Sequence, residues 1–527
     1  MRGAIAAGHE LTARAGADAL ARGGNAVDAA VAAAVMSWAA EPALTGPCGG
    51  GFMLVRPADG RPARLLDAFT AMPGSDLPRG RRLRPLDVVS VPFDERTSQV
   101  FHIGPPACAV PGVIAGLHAA HSRYGRLTWR SLLLPAADAA QAGIRTNRGQ
   151  YRVFEVIRAI LTHTPEACQV FAPGGRFLAL GEPVRQPDLA ASMEQIAEQG
   201  PQAFYGGDLA RAMVAHQHEL GGRLTRDDLR AYRAVWRRPL HARFAGHDVL
   251  TNPPPSSGGV LIGFMLSVLD GLAERPPVGS AAALRALAET MRAAGRLRDR
   301  RFARLLHSGG LARHALSPDV VASACAEVAR AVDGGRPGRA PALHADRGTT
   351  HVSVVDGDGN AASFTASNGS HSGVIVPGTG LHLNNMLGEE DLMTGRDLRP
   401  GARLTSMQAP SMMLDRGSLR LVVGSSGSNR LRSAITQVIQ NVAEHGMDVE
   451  QAVRHPRIHI EGDRLDCEPG FSEGVLDELE ERGERLVRFQ GLNLYFGGAN
   501  AVSVTDGGRL AAAGDPRREC FGLVLED

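Results

Sequence analysis

The sequence predicts an α/β protein, built as a four-layer αββα sandwich with its strands inside and its helices outside. Three observations favour this fold class. Helical patterns dominate the first part of the chain, strand-like runs dominate after residue 348, and residues 332–348 between them are rich in Gly, Pro, Ala and Arg. Hydrophobic residues make up 44% of the 527 residues and aromatic residues only 5%, so small aliphatic side chains must fill a large core.

The first clear element is a helix in GGNAVDAAVAAAVMSWAAEP, which Asn25 can cap at its N-terminus. Asp28 stands where a carboxylate can reach back to the cap, and Pro42 marks the end of the helix. The next motif, TGPCGGGFMLVR over residues 45–56, leads from a glycine cluster into a strand. A phosphate-binding loop would lead into a helix instead, so this pattern does not favour nucleotide binding.

Apolar periodicity predicts three further helices, over residues 111–125, residues 209–220 and one long stretch over residues 280–306. The three prolines of TNPPPSSGGVLIGFML interrupt the chain after Thr251, and another helix follows them. Residues 332–348 are the best candidate for a linker, because they lack apolar periodicity.

The segment RGTTHVSVVDGDGNAASFTAS, residues 347–367, predicts a tight β-hairpin. Val352 and Val354 are strand formers, and DGDGN supplies turn residues that tolerate positive φ. The hairpin begins with Thr349 and Thr350. Taken alone, this pair indicates only that β-branched residues suit the start of a strand.

The segment VVGSSGSNRLRSAI, residues 422–435, predicts a strand that ends at Gly424 and a helix that begins near Asn429. The backbone N–H groups of Gly427 and Ser428 would then lie at the positive end of that helix. Such groups can form an oxyanion hole, in which one donor contributes roughly 10²–10³ in rate. An ordinary capped helix start is the alternative interpretation.

Composition excludes several classes of function. Lys+Arg is 57 and Asp+Glu is 55, a balance that gives no electrostatic case for nucleic acid or an anionic membrane as a partner. The chain contains no lysine, which excludes Schiff-base, pyridoxal-phosphate and P-loop lysine chemistry. The six cysteines lack a Cys-x-x-Cys pair, and the histidines of HQH and HPRIH lack partners at ligand spacing. We therefore expect no metal and no cofactor.

The N-terminal segment MRGAIAAGHELTARAG has no apolar signal region, and AVDAAVAAAVMSWAA is too short and too alanine-rich to span a bilayer. These features favour a cytoplasmic enzyme or binding protein with a small-molecule partner. Serine-hydrolase chemistry requires a Gly-x-Ser-x-Gly elbow. The segments GSSGSNR and GSHSG do not match it, and no cysteine lies in a recognisable elbow, so both alternatives are weakly supported.

Nine motifs in a fixed order carry a resemblance to a known family. They are GGNAVDAAVAAAV, EPALTGPCGGGFMLV, AVPGVIAGL, PPPSSGGV, GTTHVSVVDGDGNA, VPGTGLHLNN, RLTSMQAPSMM, VVGSSGSNRLRSAI and GDPRR. The chain resembles the γ-glutamyltranspeptidase family of N-terminal nucleophile (Ntn) hydrolases over nearly its whole length. The resemblance implies the αββα sandwich of the Ntn-hydrolase type.

The resemblance also implies that a precursor cleaves itself between Gly348 and Thr349. Residues 1–348 would become a large (α) subunit and residues 349–527 a small (β) subunit, both forming one αββα unit. The expected assembly is a heterodimer of the two fragments, or a dimer of such heterodimers. The freed α-amine of Thr349 has an ordinary pKa of about 7.7–8.0 and can accept the proton of its own hydroxyl.

Other site residues follow from the same resemblance. Ser367 stands where the family has a threonine that supports the nucleophile, and Gly427 and Ser428 stand at the oxyanion hole. The implied substrate-binding residues are Asn368, the pair Thr405 and Ser406 for an α-carboxylate, and Glu389 near the acid that binds an α-amino group.

One departure from the family pattern concerns Phe69. The family carries an arginine at this position, in LD-x-R-E-x-A-P, which binds the glutamyl α-carboxylate, whereas this chain has LDAFTAMPG. Loss of a charge-assisted contact costs roughly 1.5–3 kcal/mol. Arg403 or Arg430 is a candidate replacement.

The leading functional hypothesis is an autoprocessed threonine hydrolase that cleaves an acyl or amide bond of a small substrate in specialised metabolism. A first alternative is C–C bond hydrolysis of a keto acid intermediate in alkylproline antibiotic biosynthesis, because the composition is typical of a high-GC actinobacterial genome. A second alternative is a genuine γ-glutamyl hydrolase or transpeptidase. A third is an inactive binding scaffold.

Overall fold

The computed structural model describes residues 3–77, 83–92, 98–339, 348–389, 392 and 398–526. Its helices are α1 (Glu10–Ala21), α2 (Ala26–Ala40), α3 (Val113–Tyr124), α4 (Trp129–Ala142), α5 (Arg148–Val156), α6 (Arg158–Leu161), α7 (Pro165–Phe171), α8 (Pro187–Gln199), α9 (Pro201–Tyr205), α10 (Asp208–Glu219), α11 (Arg226–Ala231), α12 (Gly258–Asp270), α13 (Ala281–Leu297), α14 (Arg300–Ser308), α15 (Leu311–Ala315), α16 (Pro318–Val332), α17 (Arg430–Ala443), α18 (Val449–Arg454) and α19 (Glu473–Glu481). Across the described residues, no helix combines the length and the apolar character that a bilayer crossing requires.

The strands are β1 (Gly3–Ala7), β2 (Gly50–Arg56), β3 (Arg64–Ala68), β4 (Asp87–Pro92), β5 (Ser98–Ile103), β6 (Ile144–Arg145), β7 (Pro183–Val184), β8 (Val235–Arg237), β9 (Leu240–Phe244), β10 (His247–Thr251), β11 (Gly348–Asp356), β12 (Ala361–Gly369), β13 (Ile375–Val376), β14 (Leu381–His382), β15 (Ser411–Asp415), β16 (Ser418–Ser426), β17 (Ile458–Glu461), β18 (Arg464–Cys467), β19 (Arg485–Arg488), β20 (Gly498–Val504), β21 (Leu510–Ala513) and β22 (Phe521–Leu525).

Two antiparallel sheets form the centre of the molecule. Sheet one has the strand order β22-β1-β11-β12-β2-β3-β8, and sheet two has the order β21-β20-β16-β15-β10-β9. Both sheets combine strands from before and after Gly348. A chain cut at that residue would therefore keep each sheet only while its two fragments remain together.

Three apolar clusters define the four layers. The first joins α1, α2, α4 and α8 to one face of sheet one, and the second joins α12, α13 and α17 to one face of sheet two. The third lies between the sheets, where Phe52, Leu54 and Val355 of sheet one meet Met412 and Val422 of sheet two. The predicted αββα sandwich is confirmed.

The sequence predicted local elements correctly where the hydrogen-bond partners lie within a few residues of one another. Asn25 and Asp28 form a reciprocal capping box at the start of α2. The predicted hairpin is the β11–β12 pair, and the predicted helix after Asn429 is α17. The strand before it extends past Gly424 to Ser426.

The prediction of one helix over residues 280–306 is wrong, because the chain breaks between α13 and α14. Asp299 caps the second helix by accepting a hydrogen bond from the Phe302 N–H at 2.7 Å, so the helix restarts there. Of the predicted linker, Val332 ends α16 and Gly348 begins β11, whereas residues 333–339 contain no helix or strand. This stretch packs onto α13, where Gly338 N–H donates to Glu289 Oε1 at 2.9 Å. Residues 340–347 lie outside the described residues.

A buried ion pair provides a test of the packing between α13 and the segment before β19. Arg292 and Glu484 have fully buried side chains, joined by a 2.6 Å contact between Nη2 and Oε2. Arg292→Leu would leave the buried Glu484 carboxylate with its longer 3.4 Å contact to Arg285, so the cost should approach but not exceed the about 3–5 kcal/mol of a fully unpaired buried charge. We expect a clear fall in the urea midpoint of unfolding.

The matched control is Arg14→Ala, which removes an exposed ion pair with Glu10 one helical turn away. Such a pair contributes about 0.5 kcal/mol or less, so its midpoint should match that of the wild type. Equal midpoints for both variants would contradict the structural role of the buried pair.

Candidate active site

The predicted cleavage site lies at the first residues of the β11–β12 hairpin. Gly348 pairs with Gly369 and Thr350 pairs with Ala366, and the register shifts between these two pairs. One residue of β11, Thr349, thus lies opposite two residues of β12, Ser367 and Asn368, which form a β-bulge. Bulges turn a side chain away from its regular position and occur often beside active sites.

The alternation of side chains along β11 indicates which face carries Thr349. Thr350 Oγ1 donates to Glu41 Oε2 at 2.6 Å, and Val352 and Val354 belong to the apolar cluster under α2. Thr350 therefore lies on the helix-covered face of sheet one. Thr349 is assigned to the opposite face, between the sheets, where Ser363 of β12 also donates to a carbonyl of sheet two.

Ser367 contacts the bond that precedes Thr349. Its hydroxyl donates a hydrogen bond to the Gly348 carbonyl oxygen and accepts one from the Gly369 N–H at 2.9 Å. These two hydrogen bonds together hold the Ser367 hydroxyl in one orientation. The residue that resemblance placed beside the nucleophile therefore polarises the carbonyl of the Gly348–Thr349 peptide bond.

The predicted oxyanion residues occupy the turn between β16 and α17. Gly427 has φ of +117° and Ser428 has φ of +56°, so both lie in the left-handed region. A Cβ on Gly427 would lie 2.8 Å from Gly497 Cα, which restricts this position to glycine. The turn places both N–H groups just before α17, where no intrahelical acceptor is available to them.

Asn368 and Glu389 lie near the end of the hairpin. Asn368 Nδ2 donates to His371 Nδ1 at 2.7 Å and to the His382 carbonyl oxygen at 2.8 Å. Burial lowers the pKa of His371 to about 3, so its ring is neutral and can accept this bond. A Cβ on Gly369 would lie 2.8 Å from Glu389 Oε1, which places that carboxylate beside the same turn.

Thr405 and Ser406 lie on a segment that packs against the start of α12. Ser406 Oγ accepts from the Gln408 N–H at 3.0 Å, and its carbonyl oxygen accepts from the Ser257 N–H at 2.8 Å. Thr405 Oγ1 is buried and has no hydrogen-bond partner among the described residues. Of the two hydroxyls, that of Thr405 is the more available to a ligand.

Phe69 is located in the core. Its ring is 1% exposed and stacks on Phe52 with a centroid separation of 5.4 Å and an interplanar angle of 13°. The ring contributes to the apolar layer between the two sheets. A phenylalanine at this position therefore stabilises the sandwich, and an arginine here would have to leave that layer to reach a ligand.

The two candidate replacements for the missing arginine are engaged elsewhere. Arg403 donates to the carbonyl oxygens of Phe69 at 2.9 Å and Arg233 at 2.6 Å, and it lies over the Tyr232 ring at 4.5 Å. Arg430 donates to the Tyr495 carbonyl oxygen at 3.0 Å and lies over that ring at 4.3 Å.

A small cavity of about 40 Å³ lies beside Gly348. Its described lining residues are Ala43, Leu44, Phe101, Val153, Val156, Ile157, Gly348, Ser370, Leu494 and Arg518. A larger cavity of about 1240 Å³ lies next to His247 and Arg420 and contains none of the predicted site residues. The smaller cavity reaches the predicted cleavage point, but in the uncleaved chain it has room for only a few water molecules.

Sequence reasoning missed Glu41, which supports the hairpin from the end of α2. Its Oε1 accepts from Thr12 Oγ1 at 2.8 Å, and its Oε2 accepts from Thr350 Oγ1. Burial raises the pKa of Glu41 to about 7, although both hydroxyl donors oppose that shift. A carboxylate within the apolar run MSWAAEPAL was the available signal.

The raised pKa of Glu41 predicts a pH-dependent stability. Glu41 has the ordinary pKa of 4.5 in the unfolded chain and a pKa of about 7 in the folded chain. The folded chain therefore binds this proton more tightly. Its contribution to stability is thus complete below pH 4.5 and is lost as the pH rises through about 7. We expect Glu41→Gln to remove this loss.

The measurement is the urea midpoint of both proteins at about pH 5 and about pH 8. The wild type should lose stability relative to Glu41→Gln by an amount on the order of 3 kcal/mol. Parallel pH profiles would show that Glu41 titrates as an ordinary carboxyl group.

Comparisons with known proteins agree with this geometry. The family model described as gamma-glutamyltranspeptidase matches residues 12–524. The chain is 33% identical over 523 residues to the acylase ACY 1 proenzyme of Pseudomonas sp. (strain V22), with 97% of this chain and 91% of that protein covered. It is 32% identical over 560 residues to the glutathione hydrolase proenzyme of Pseudomonas aeruginosa, with 99% and 95% covered.

Among solved structures, the cephalosporin acylase from Bacillus halodurans is similar with a TM-score of 0.84 at 25% identity. The match covers 99% of this chain and 95% of that chain. The chain accordingly belongs to the gamma-glutamyltranspeptidase family of N-terminal nucleophile hydrolases and is an enzyme of the hydrolase or acyltransferase type.

Proposed function

We propose that the chain cleaves itself between Gly348 and Thr349, and that Thr349 then acts as the nucleophile that cleaves an acyl or amide bond of a small substrate. The observation that carries this proposal is the hydrogen bond from Ser367 to the Gly348 carbonyl oxygen. Relatives named as proenzymes support it.

The cleavage begins with attack of Thr349 Oγ on the Gly348 carbonyl carbon. Negative charge develops on the carbonyl oxygen, which the Ser367 hydroxyl already contacts. Collapse breaks the C–N bond, the proton of the Thr349 hydroxyl passes to the Thr349 nitrogen, and an ester remains between Gly348 and the Thr349 side chain. Water then hydrolyses the ester, which yields the Gly348 carboxylate and a free α-amine on Thr349.

The second reaction uses the amine that the first reaction creates. At its ordinary pKa of about 7.7–8.0, a fraction of this amine is unprotonated near neutral pH and can accept the Thr349 hydroxyl proton. The oxygen attacks a substrate carbonyl, and the N–H groups of Gly427 and Ser428 receive the developing oxyanion. Water or an amine then releases the acyl group from Thr349.

The two fragments should form a stable heterodimer after cleavage. β11 and β12 lie in sheet one between β1 and β2, and in sheet two β15 pairs with β10. Separation of the fragments would expose the apolar faces and unpaired edges of both sheets. We expect no dissociation under native conditions.

The substrate is proposed to be an acyl donor other than a simple γ-glutamyl peptide. The support is the location of the Phe69 ring in the core, where the family motif has a carboxylate-binding arginine. The acylase relative at 33% identity is consistent with this proposal. A γ-glutamyl hydrolase is the second candidate, favoured by the glutathione hydrolase relative at 32% identity.

The first test is intact mass spectrometry of the wild type beside Thr349→Ala. We expect the wild type to yield one fragment ending at Gly348 and one starting at Thr349, which elute together from a sizing column. Thr349→Ala should remain one chain, because it lacks the attacking hydroxyl. Thr505→Ala, which alters an exposed threonine in a turn, is the control and should cleave normally. An uncleaved wild type would contradict the proposal and favour a binding role.

The second test concerns Ser367 and uses the time course of precursor loss. Ser367→Ala removes one donor to the developing oxyanion and should slow cleavage by roughly 10²–10³. Ser367→Thr keeps the hydroxyl and should cleave within a few-fold of the wild type. If Ser367→Ala cleaved as fast as Ser367→Thr, the hydroxyl would have no part in the reaction.

A further inference from the structure

The carboxyl group of Glu41 contacts the residue that follows Thr349. Glu41 comes directly after the last residue of α2, and its side chain is 1% exposed. Among the described residues, two hydroxyls donate to this carboxyl group, those of Thr12 on α1 and Thr350 on β11. Thr350 is joined to Thr349, whose hydroxyl must reach the Gly348 carbonyl carbon. The Glu41 side chain therefore restrains the chain on the C-terminal side of the cleavage point.

The main chain of Glu41 restrains the chain on the other side of the cleavage point. Its carbonyl oxygen accepts hydrogen bonds from the Leu44 N–H at 2.9 Å and the Thr45 N–H at 3.3 Å, which fold the loop after α2 into a tight turn. This turn packs on Gly348, where an added Cβ would lie 2.6 Å from the Ala43 carbonyl oxygen and 2.9 Å from Leu44 Cα. Both are backbone atoms, so Gly348 has no room to move towards the turn.

The residue after β1 leaves space for the contact between Glu41 and Thr350. A Cβ on Gly8 would overlap Glu41 Oε2 and would lie 2.6 Å from Thr350 Oγ1. Both atoms are the ends of side chains, so a larger residue at position 8 would displace the carboxyl and hydroxyl groups. A substitution on a third element of the fold can therefore break this contact while both partners stay unchanged.

We propose that Glu41 is a positioning residue for self-cleavage, which acts by holding the Thr350 hydroxyl and by folding the turn that packs on Gly348. The inference rests on the proposed function, in which Thr349 Oγ attacks the Gly348 carbonyl carbon. A misplacement of about 1 Å can cost such a reaction about a hundredfold in rate. Ser367 and Glu41 have separate parts, since Ser367 polarises the carbonyl group and Glu41 restrains the chain that carries the attacking hydroxyl.

The first test compares two variants that each remove one hydrogen bond to the Glu41 carboxyl group. Thr350→Val removes the bond that leads to the cleavage point, and Thr12→Val removes the bond that leads to α1. Each variant loses one buried hydroxyl, so we expect similar falls in the urea midpoint. The rate of precursor loss should fall at least about tenfold in Thr350→Val and stay within about threefold of the wild type in Thr12→Val.

Two further variants complete this comparison. Thr350→Ser keeps the hydroxyl and should restore cleavage to within a few-fold of the wild-type rate. Gly8→Ala should slow cleavage by displacing the contact from the side of β1. Equal slowing in Thr350→Val and Thr12→Val would overturn the proposal, because cleavage would then follow overall stability. Cleavage of Thr350→Val at the wild-type rate would also overturn it.

A second measurement does not require cleavage and separates this proposal from the proposed function. Amide hydrogen exchange of the whole chain is followed by mass spectrometry in the Thr349→Ala background, for the peptide that contains residues 348–351. Adding Thr350→Val should raise the exchange rate of this peptide about tenfold, whereas adding Thr12→Val should leave it unchanged. Gly8→Ala replaces Thr350→Val if that protein does not fold.

The two proposals can therefore fail separately. Unchanged exchange in the Thr350→Val protein would overturn the positioning role even where the wild type divides at Gly348. Conversely, faster exchange in Thr350→Val beside a wild type that stays uncleaved would retain the positioning role and contradict only the catalytic proposal.

Discussion

The structure depends on one hydrogen bond, from the Ser367 hydroxyl to the carbonyl oxygen of Gly348. That bond depends on the register of β11 and β12, in which Ser367 and Asn368 form a bulge opposite Thr349. The helix-covered face of the hairpin is held in turn by the end of α2. Glu41 accepts a hydrogen bond from Thr350, and the Leu44 carbonyl oxygen accepts one from the Asn368 N–H. The Gly348–Thr349 peptide bond is thus held in place by contacts on both faces of sheet one. Such preorganisation favours an internal acyl transfer.

The αββα architecture makes cleavage at this position compatible with a stable product. The strand that begins at Gly348 is an inner strand of sheet one, covered by α2 on one face and by sheet two on the other. Each sheet combines strands from both sides of the cleavage point. The cut would therefore create a new chain end inside a folded core, and that chain end is the amine that the second reaction uses as its base.

Features set by local hydrogen bonding could be predicted from the sequence. The capping box of Asn25 and Asp28, the hairpin turn and the turn before α17 each involve residues within a few positions of one another. The break at Asp299 is also local, but the apolar periodicity on both sides of it concealed the cap.

Features set by long-range packing could not be predicted. The sequence shows Phe69 as a departure from a motif, but only the fold shows that its ring stacks on Phe52 between the sheets. Glu41 and Thr350 are 309 positions apart in the chain, and their contact depends on how α2 crosses sheet one. Likewise, the sequence presents Arg517 and Arg518 as equivalent neighbours, whereas the fold pairs one with two carboxylates and directs the other to the cavity.

The central claim is that this chain attacks its own Gly348–Thr349 bond. The most direct measurement is the rate of cleavage of a purified, slowly cleaving Ser367→Ala precursor over about a hundredfold range of protein concentration, with protease inhibitors present. An intramolecular reaction predicts a first-order rate constant that does not change with concentration. A rate constant that rises in proportion to concentration, or cleavage that stops on purification, would show that another molecule cuts the bond.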